Sequence, residues 1–157
     1  MSDNGREFLR HTVATLAYRG GKVVREAPAA FANYDGGTRP PVKILAHIGD
    51  LLDWALSMAN GSRQWHDSEP IAWEEECARF FAALEALDAY LSSDAPLSCT
   101  AEKLFQGPIA DALTHVGQLA MLRRMSGMPM KSENYFIAEI ASGRVGREQV
   151  GAKKEFD

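Results

Sequence analysis

The chain is short of most features that give a function away. Among its 157 residues there are two cysteines, Cys77 and Cys99, with neither C-x-x-C spacing nor the density of a disulfide scaffold. Two reduced, idle thiols are expected. No run approaches the roughly 18 apolar residues of a membrane span, so no membrane partner is expected. Positive charge is not in excess: 17 Lys and Arg stand against 21 Asp and Glu, a net −4. That removes the electrostatic footprint of a nucleic-acid binder. Residues 1–7 are polar and lack the apolar core of a signal peptide, which makes the cytoplasm the expected compartment. There is no internal repeat, no low-complexity tract and no alternating strand pattern.

What is present is helical periodicity over a chain that is 46% hydrophobic, of a length that suits a single domain over residues 1–157. A first helix is expected over residues 3–26, with Leu9, Val13, Leu16, Gly20, Val23 and Ala27 on one face. Gly20 and Gly21 in its middle either admit a neighbouring helix closely or mark a kink. A loop with Asp35-Gly36-Gly37 and Pro40-Pro41 leads to a second helix ending near Ala59. Its inward stripe is Ile44, His47, Ile48, Leu51, Ala55 and Met58. A third helix is expected to start near Ser68-Glu69-Pro70. Trp73, Cys77, Phe80, Leu84, Leu87 and Leu91 form its core seam, and Glu74, Glu75, Glu76 and Glu85 face outward or flank it. A fourth opens at Gly107-Pro108, or continues from residue 100 with a kink at Pro108, and ends near Gly127. Residues 134–140 make a short C-terminal element, with a frayed tail beyond. The fold class is therefore all-α, a four-helix bundle whose long first connection permits a crossover.

The chemistry lies in three residues. Asp111 and His115 are four apart and share a helix face. His47 lies in the inward stripe of the second helix. Two imidazoles and a carboxylate between two helices would make a three-ligand metal site with open positions. Each residue also has a plainer reading. His47 could be a satisfied core histidine, Asp111 a carboxylate favoured near a helix start, and His115 a donor to a backbone carbonyl. Together, Asp111 and His115 point along a face expected to be buried, and an unpaired buried carboxylate is costly. A cation relieves that cost, as a plain Asp–His pair would in part. Paired Glu-x-x-His motifs of di-iron bundles are absent, so a single metal is the better reading. Gln118, one turn past His115, could orient it from behind or simply pack. His66 beside Trp65 could line an entrance or sit idle on the surface, and His11 reads as surface. Arg123, Arg124 and Arg144 could receive a cofactor's carboxylates or act as helix-end charges.

The segments Ile44-Leu45-Ala46-His47-Ile48-Gly49-Asp50-Leu51 and His115-Val116-Gly117-Gln118-Leu119-Ala120-Met121-Leu122 resemble the two signature helices of the DinB/YfiT-like superfamily of bacterial four-helix proteins. Gly127-Met128-Pro129 and Asn134-Tyr135-Phe136 fit the same pattern, so the resemblance covers most of the chain. It implies that His47 is the first ligand and His115, followed by Gly117-Gln118, the last. Asp111 stands where the commonest pattern has histidine. A carboxylate there resembles the mycothiol-dependent maleylpyruvate isomerase branch, with aspartate one methylene shorter than that branch's glutamate. The resemblance further implies one zinc or nickel ion, a low-molecular-weight thiol as co-substrate and a homodimer. The function it implies is a metal- and thiol-dependent transferase or isomerase acting on a small electrophile. The alternative is a non-catalytic metal-binding stress-response or interaction protein of the same fold.

Overall fold

The computed structural model describes residues 3–156. Four long helices carry the fold: α1 (Asn4–Val24), α2 (Pro41–Asn60), α3 (Trp73–Ser92) and α5 (Ala110–Met125). A short α4 (Ala101–Leu104) runs into α5 through one widened π turn, Phe105–Ile109. Among the described residues the only extended pairing is between β1 (Ser132–Glu133) and β2 (Glu155–Phe156), which are antiparallel. Among the described residues no helix is long and apolar enough to cross a membrane.

Each start and stop has a local cause. The Asp3 carboxylate accepts from the Gly5 and Arg6 N–H groups and caps α1. Pro41 occupies the first position of α2, and Gly61 ends it in the left-handed region at φ 85°. α3 begins at Trp73, not at Ser68, because residues 68–72 are committed to another task described below. Acids of its first turn reach back to the residues just before it: Ala72 N–H donates to Glu75, and Ile71 N–H to Glu76. Glu76 is therefore buried, not outward-facing. Pro108 does not start a helix. It lies inside the π turn, where an extra residue per turn accommodates a ring that would otherwise clash with the preceding turn. Asp111 consequently follows a continuous helical backbone and has no open helix start to favour it.

Side-chain contacts fix the directions. Arg10 pairs with Asp88 at 3.0 Å, and Gly20 faces Phe80, so α1 and α3 are antiparallel. Arg79 reaches the Ala46 carbonyl while Ser98 N–H, just past α3, donates to Ala59 O. α2 and α3 are therefore parallel. Arg123 near the end of α5 donates to Val23 O and Arg25 O at the end of α1, which makes those two parallel as well. α1 and α2 each pack against α3 and α5, so these two consecutive helices lie across the bundle diagonal. The core seams of α1 and α3 are buried along their length. Gly20 serves close approach, since a Cβ there would lie 2.6 Å from Phe80 Cζ.

Parallel α2 and α3 require the chain to return the length of α2. Residues 61–72 do this as an extended strap. Gln64 N–H donates to Ser57 Oγ, His66 Nε2 lies 3.2 Å from Asp53, and Ser68 N–H and Oγ both donate to Asp50. The strap thus descends α2 from Ser57 to Asp50, one hydrogen-bonded rung at a time. Past Met125 the tail is anchored, not frayed. Buried Glu133 accepts from Tyr18 Oη and, at 2.7 Å, from Lys22, which also holds Glu155. Val145 is buried too.

Candidate metal centre

Antiparallel α2 and α5 bring the three residues singled out in the sequence to one place. His47 Nε2 lies 3.7 Å from Asp111 Oδ2, and His115 Nε2 lies 3.5 Å from Asp111 Oδ1. The two imidazoles stand edge to face with centroids 4.8 Å apart. One ligand atom from each residue lies within 4.8 Å of the others. Donors at zinc bond lengths around a tetrahedral ion are about 3.4 Å apart, and each carboxylate–imidazole spacing is close to that, through Oδ2 for His47 and Oδ1 for His115. The donor set, two imidazoles and a carboxylate, suits a borderline divalent metal.

Gln118 is placed to orient His115. Its Oε1, an acceptor, lies 2.8 Å from His115 Nδ1, which turns Nε2 towards Asp111. Fixing the remote ring nitrogen selects the tautomer and turns the ring.

The carboxylate's burial differs from expectation. Asp111 is 49% exposed while the imidazoles of His47 and His115 are mostly covered. Of the expected stripe α5 buries only Leu122, and it buries instead the stripe Ala112, Val116, Leu119 and Arg123, together with Ala120. That stripe has the same helical spacing as Asp111, His115, Gln118 and Leu122 but is turned by one residue, about 100°. The site therefore sits at the edge of the bundle, with solvent on the Asp111 side. Desolvation of Asp111 is not a reason for a cation to be there, and proximity of the three donors is.

Two aromatic residues wall the site. Trp65, carried by the strap, packs edge to face on His47 and on Trp54 of α2, with centroids 5.8 Å away in each case. Beside His47 opens a cavity of about 320 Å³ with Arg39, Lys43, Asp50, Asp67 and Glu69 in its wall. A second, of about 460 Å³, borders Gln118.

A second cluster, Asp50, Asp53 and His66, also has donor atoms within 4.8 Å of each other. Here a cation is already supplied by the protein. The Arg79 guanidinium contacts Asp50 and, at 3.2 Å, Asp53. Burial alone would raise the Asp50 carboxyl, but Ser68 and Arg79 outweigh it and hold it below its ordinary range. This cluster pins the strap. His66 is exposed and belongs to it, lying 3.2 Å from both Asp50 and Asp53.

The remaining candidates are structural. Arg123 is buried and spends its guanidinium on Val23 O, Arg25 O and Met128 O, so it cannot receive a ligand's carboxylate. Arg144 donates to Glu139 O, Arg124 to Ser132, and His11 is exposed. Both thiols are free, and burial pushes Cys77 up to about 12. Trp65, Asp50 and Arg79 were not legible as parts of one assembly, because a strap without periodicity gives no register with a helix. No family model, curated protein or solved structure matches the chain.

Proposed function

We propose that the protein binds one divalent metal ion, zinc or nickel, through His47, Asp111 and His115. We further propose that it is a DinB-like transferase or isomerase in which a small thiol attacks an electrophilic substrate. The observation that carries this reading is the convergence of three donors from two helices, with His115 Nδ1 already engaged by Gln118. The resemblance of the α2 and α5 segments supports the thiol chemistry. Bound there, a divalent ion supplies Lewis acidity, which makes a thiol or water nucleophilic at neutral pH.

The chain's own residues do the rest. Gln118 holds His115 with Nε2 forward. Asp111 stands between the imidazoles and supplies negative charge to offset that of a cation. Trp65 packs edge to face on His47 and steadies that ring beside the polar cavity, while the exposed Asp111 side leaves an approach for substrate. Neither cysteine is near enough to these residues to figure among the candidate ligand groups, and burial raises both thiols, so the nucleophile comes from a co-substrate. The reading carries with it a cytoplasmic homodimer, with neither nucleic acid nor membrane as partner.

The test is metal content by elemental analysis on protein purified without an affinity tag. Near one equivalent, lost in His115→Ala, is the expected result and licenses a screen of thiols with electrophiles. Wild-type protein that takes up no ion from supplied divalent metals overturns the three-ligand reading. Bound metal with no turnover over a broad panel favours a non-catalytic metal-binding protein.

A further inference from the structure

We infer that the small molecule served by this site carries a neutral apolar portion, and that this portion lies in the groove between α2 and α5 beyond Gln118. The inference rests on the metal-site reading and adds the class of substrate to it.

The groove holds about 460 Å³, within the range of small-molecule pockets. Ile44 of α2 and Thr114, Gln118, Met121, Leu122 and Met125 of α5 line it, and none of its lining residues is ionisable. The cavity on the other side of His47 is walled by Arg39, Lys43, Asp50, Asp67 and Glu69. The groove beyond Gln118 therefore offers an apolar chain or ring a place to lie, and the cavity beside His47 offers one to a charged group.

Groove and site share a wall. Gln118 holds His115 Nδ1 and also lines the groove. Ile44 lies one turn before His47, and Thr114 precedes His115 directly. Met121 and Met125 are four apart on α5, hence stacked on one face, and both are more than half exposed. Their unbranched thioethers adapt to ligands of varied shape. A Cβ added at Gly117 would meet nothing within 4 Å, so the space over the helix at this point is open. A ligand whose reactive head reaches His47, Asp111 and His115 lays its tail over Gly117 towards Met121.

Straight-chain hydroxamates from acetyl to octanoyl test this, because the head chelates zinc and only the tail varies. The full chain is loaded with zinc, its zinc content measured, and each compound titrated by calorimetry. Affinity is expected to rise up to about fourfold per methylene until the groove is full. Gly117→Leu and Met121→Glu are each expected to flatten the series while zinc content and acetohydroxamate affinity stay unchanged. A flat series in zinc-loaded wild type overturns the inference. So does a dimer by light scattering that Met121→Glu converts to monomer without any chain-length effect, since the groove then belongs to a second copy. If the chain takes up no zinc, the metal reading fails separately. The groove is then judged with straight-chain primary amides: a chain-length dependence removed by Gly117→Leu sustains it, and a flat series overturns it.

Discussion

Gln118 Oε1 and His115 Nδ1 are 2.8 Å apart, and this contact decides which nitrogen of His115 faces Asp111. The pair sits three residues apart on one helix face, so α5 itself sets the orientation without help from a loop.

Gln118→Ala is expected to lower zinc affinity about 10- to 100-fold, the usual cost of losing a group that orients a ligand, with little change in folding. Competition against a chromogenic chelator measures it. Gln118→Glu, which can still accept from Nδ1, is expected to retain most of the affinity.

Arg79→Ala leaves Asp50 buried without its cation and undoes the junction of strap, α2 and α3. Breaking such a pair costs about 3 kcal/mol, read as a lower midpoint in urea unfolding. Asp50→Asn together with Arg79→Ala is expected to cost less than the sum of the two.

The same carboxylate makes stability fall in acid. Its folded pKa lies below its ordinary value, so its contribution is complete above the unfolded value near 4 and lost as pH falls through the folded one. Unfolding free energy of wild type is therefore expected to drop more steeply below about pH 4 than that of Asp50→Asn, measured by urea titrations at a series of pH values.

Gly20→Ala sets a methyl 2.6 Å from Phe80 Cζ. Despite the better helix propensity of alanine, overpacking is expected to cost about 1–3 kcal/mol. Phe80→Leu in the same chain is expected to recover part of it.

At pH 8 a thiol reagent is expected to spare Cys77 in the native protein, because burial, with Glu74 nearby, pushes it to about 12. Half-buried Cys99 reacts first, and Cys77 only once denaturant is added. Rapid reaction of both in the native state would contradict the packing of Cys77 in the α3 seam.

The all-α class and the helix seams were legible because apolar spacing survives in the sequence whatever the tertiary arrangement. Leu9 to Ala27 and Trp73 to Leu91 needed no partner to be recognised. The grouping of His47, Asp111 and His115 was legible from helix spacing, which sets Asp111 and His115 on one face and His47 on the face of α2 that meets it. The exposure of Asp111 was not, since α5 offers two stripes of equal period a residue apart and only packing against α1 and α2 chooses between them. The roles of Asp50, Arg79 and Trp65 depend on a non-helical segment lying against α2, and its register is set by hydrogen bonds that leave no periodic trace. The burial of Arg123 likewise depends on the end of α1 lying beside that of α5.

The strap over residues 61–72 also acts as a ruler. α2 is about 30 Å long, and twelve extended residues reach about 40 Å at most. The return therefore has little slack. Removing four residues takes away about 13 Å, and the remainder no longer reaches the start of α2. A chain so shortened must unwind part of α2 or α3 to keep its threading, or turn back at once with α3 running against α2. The direction in which half the bundle is threaded is thus written in the length of a segment that has no secondary structure of its own.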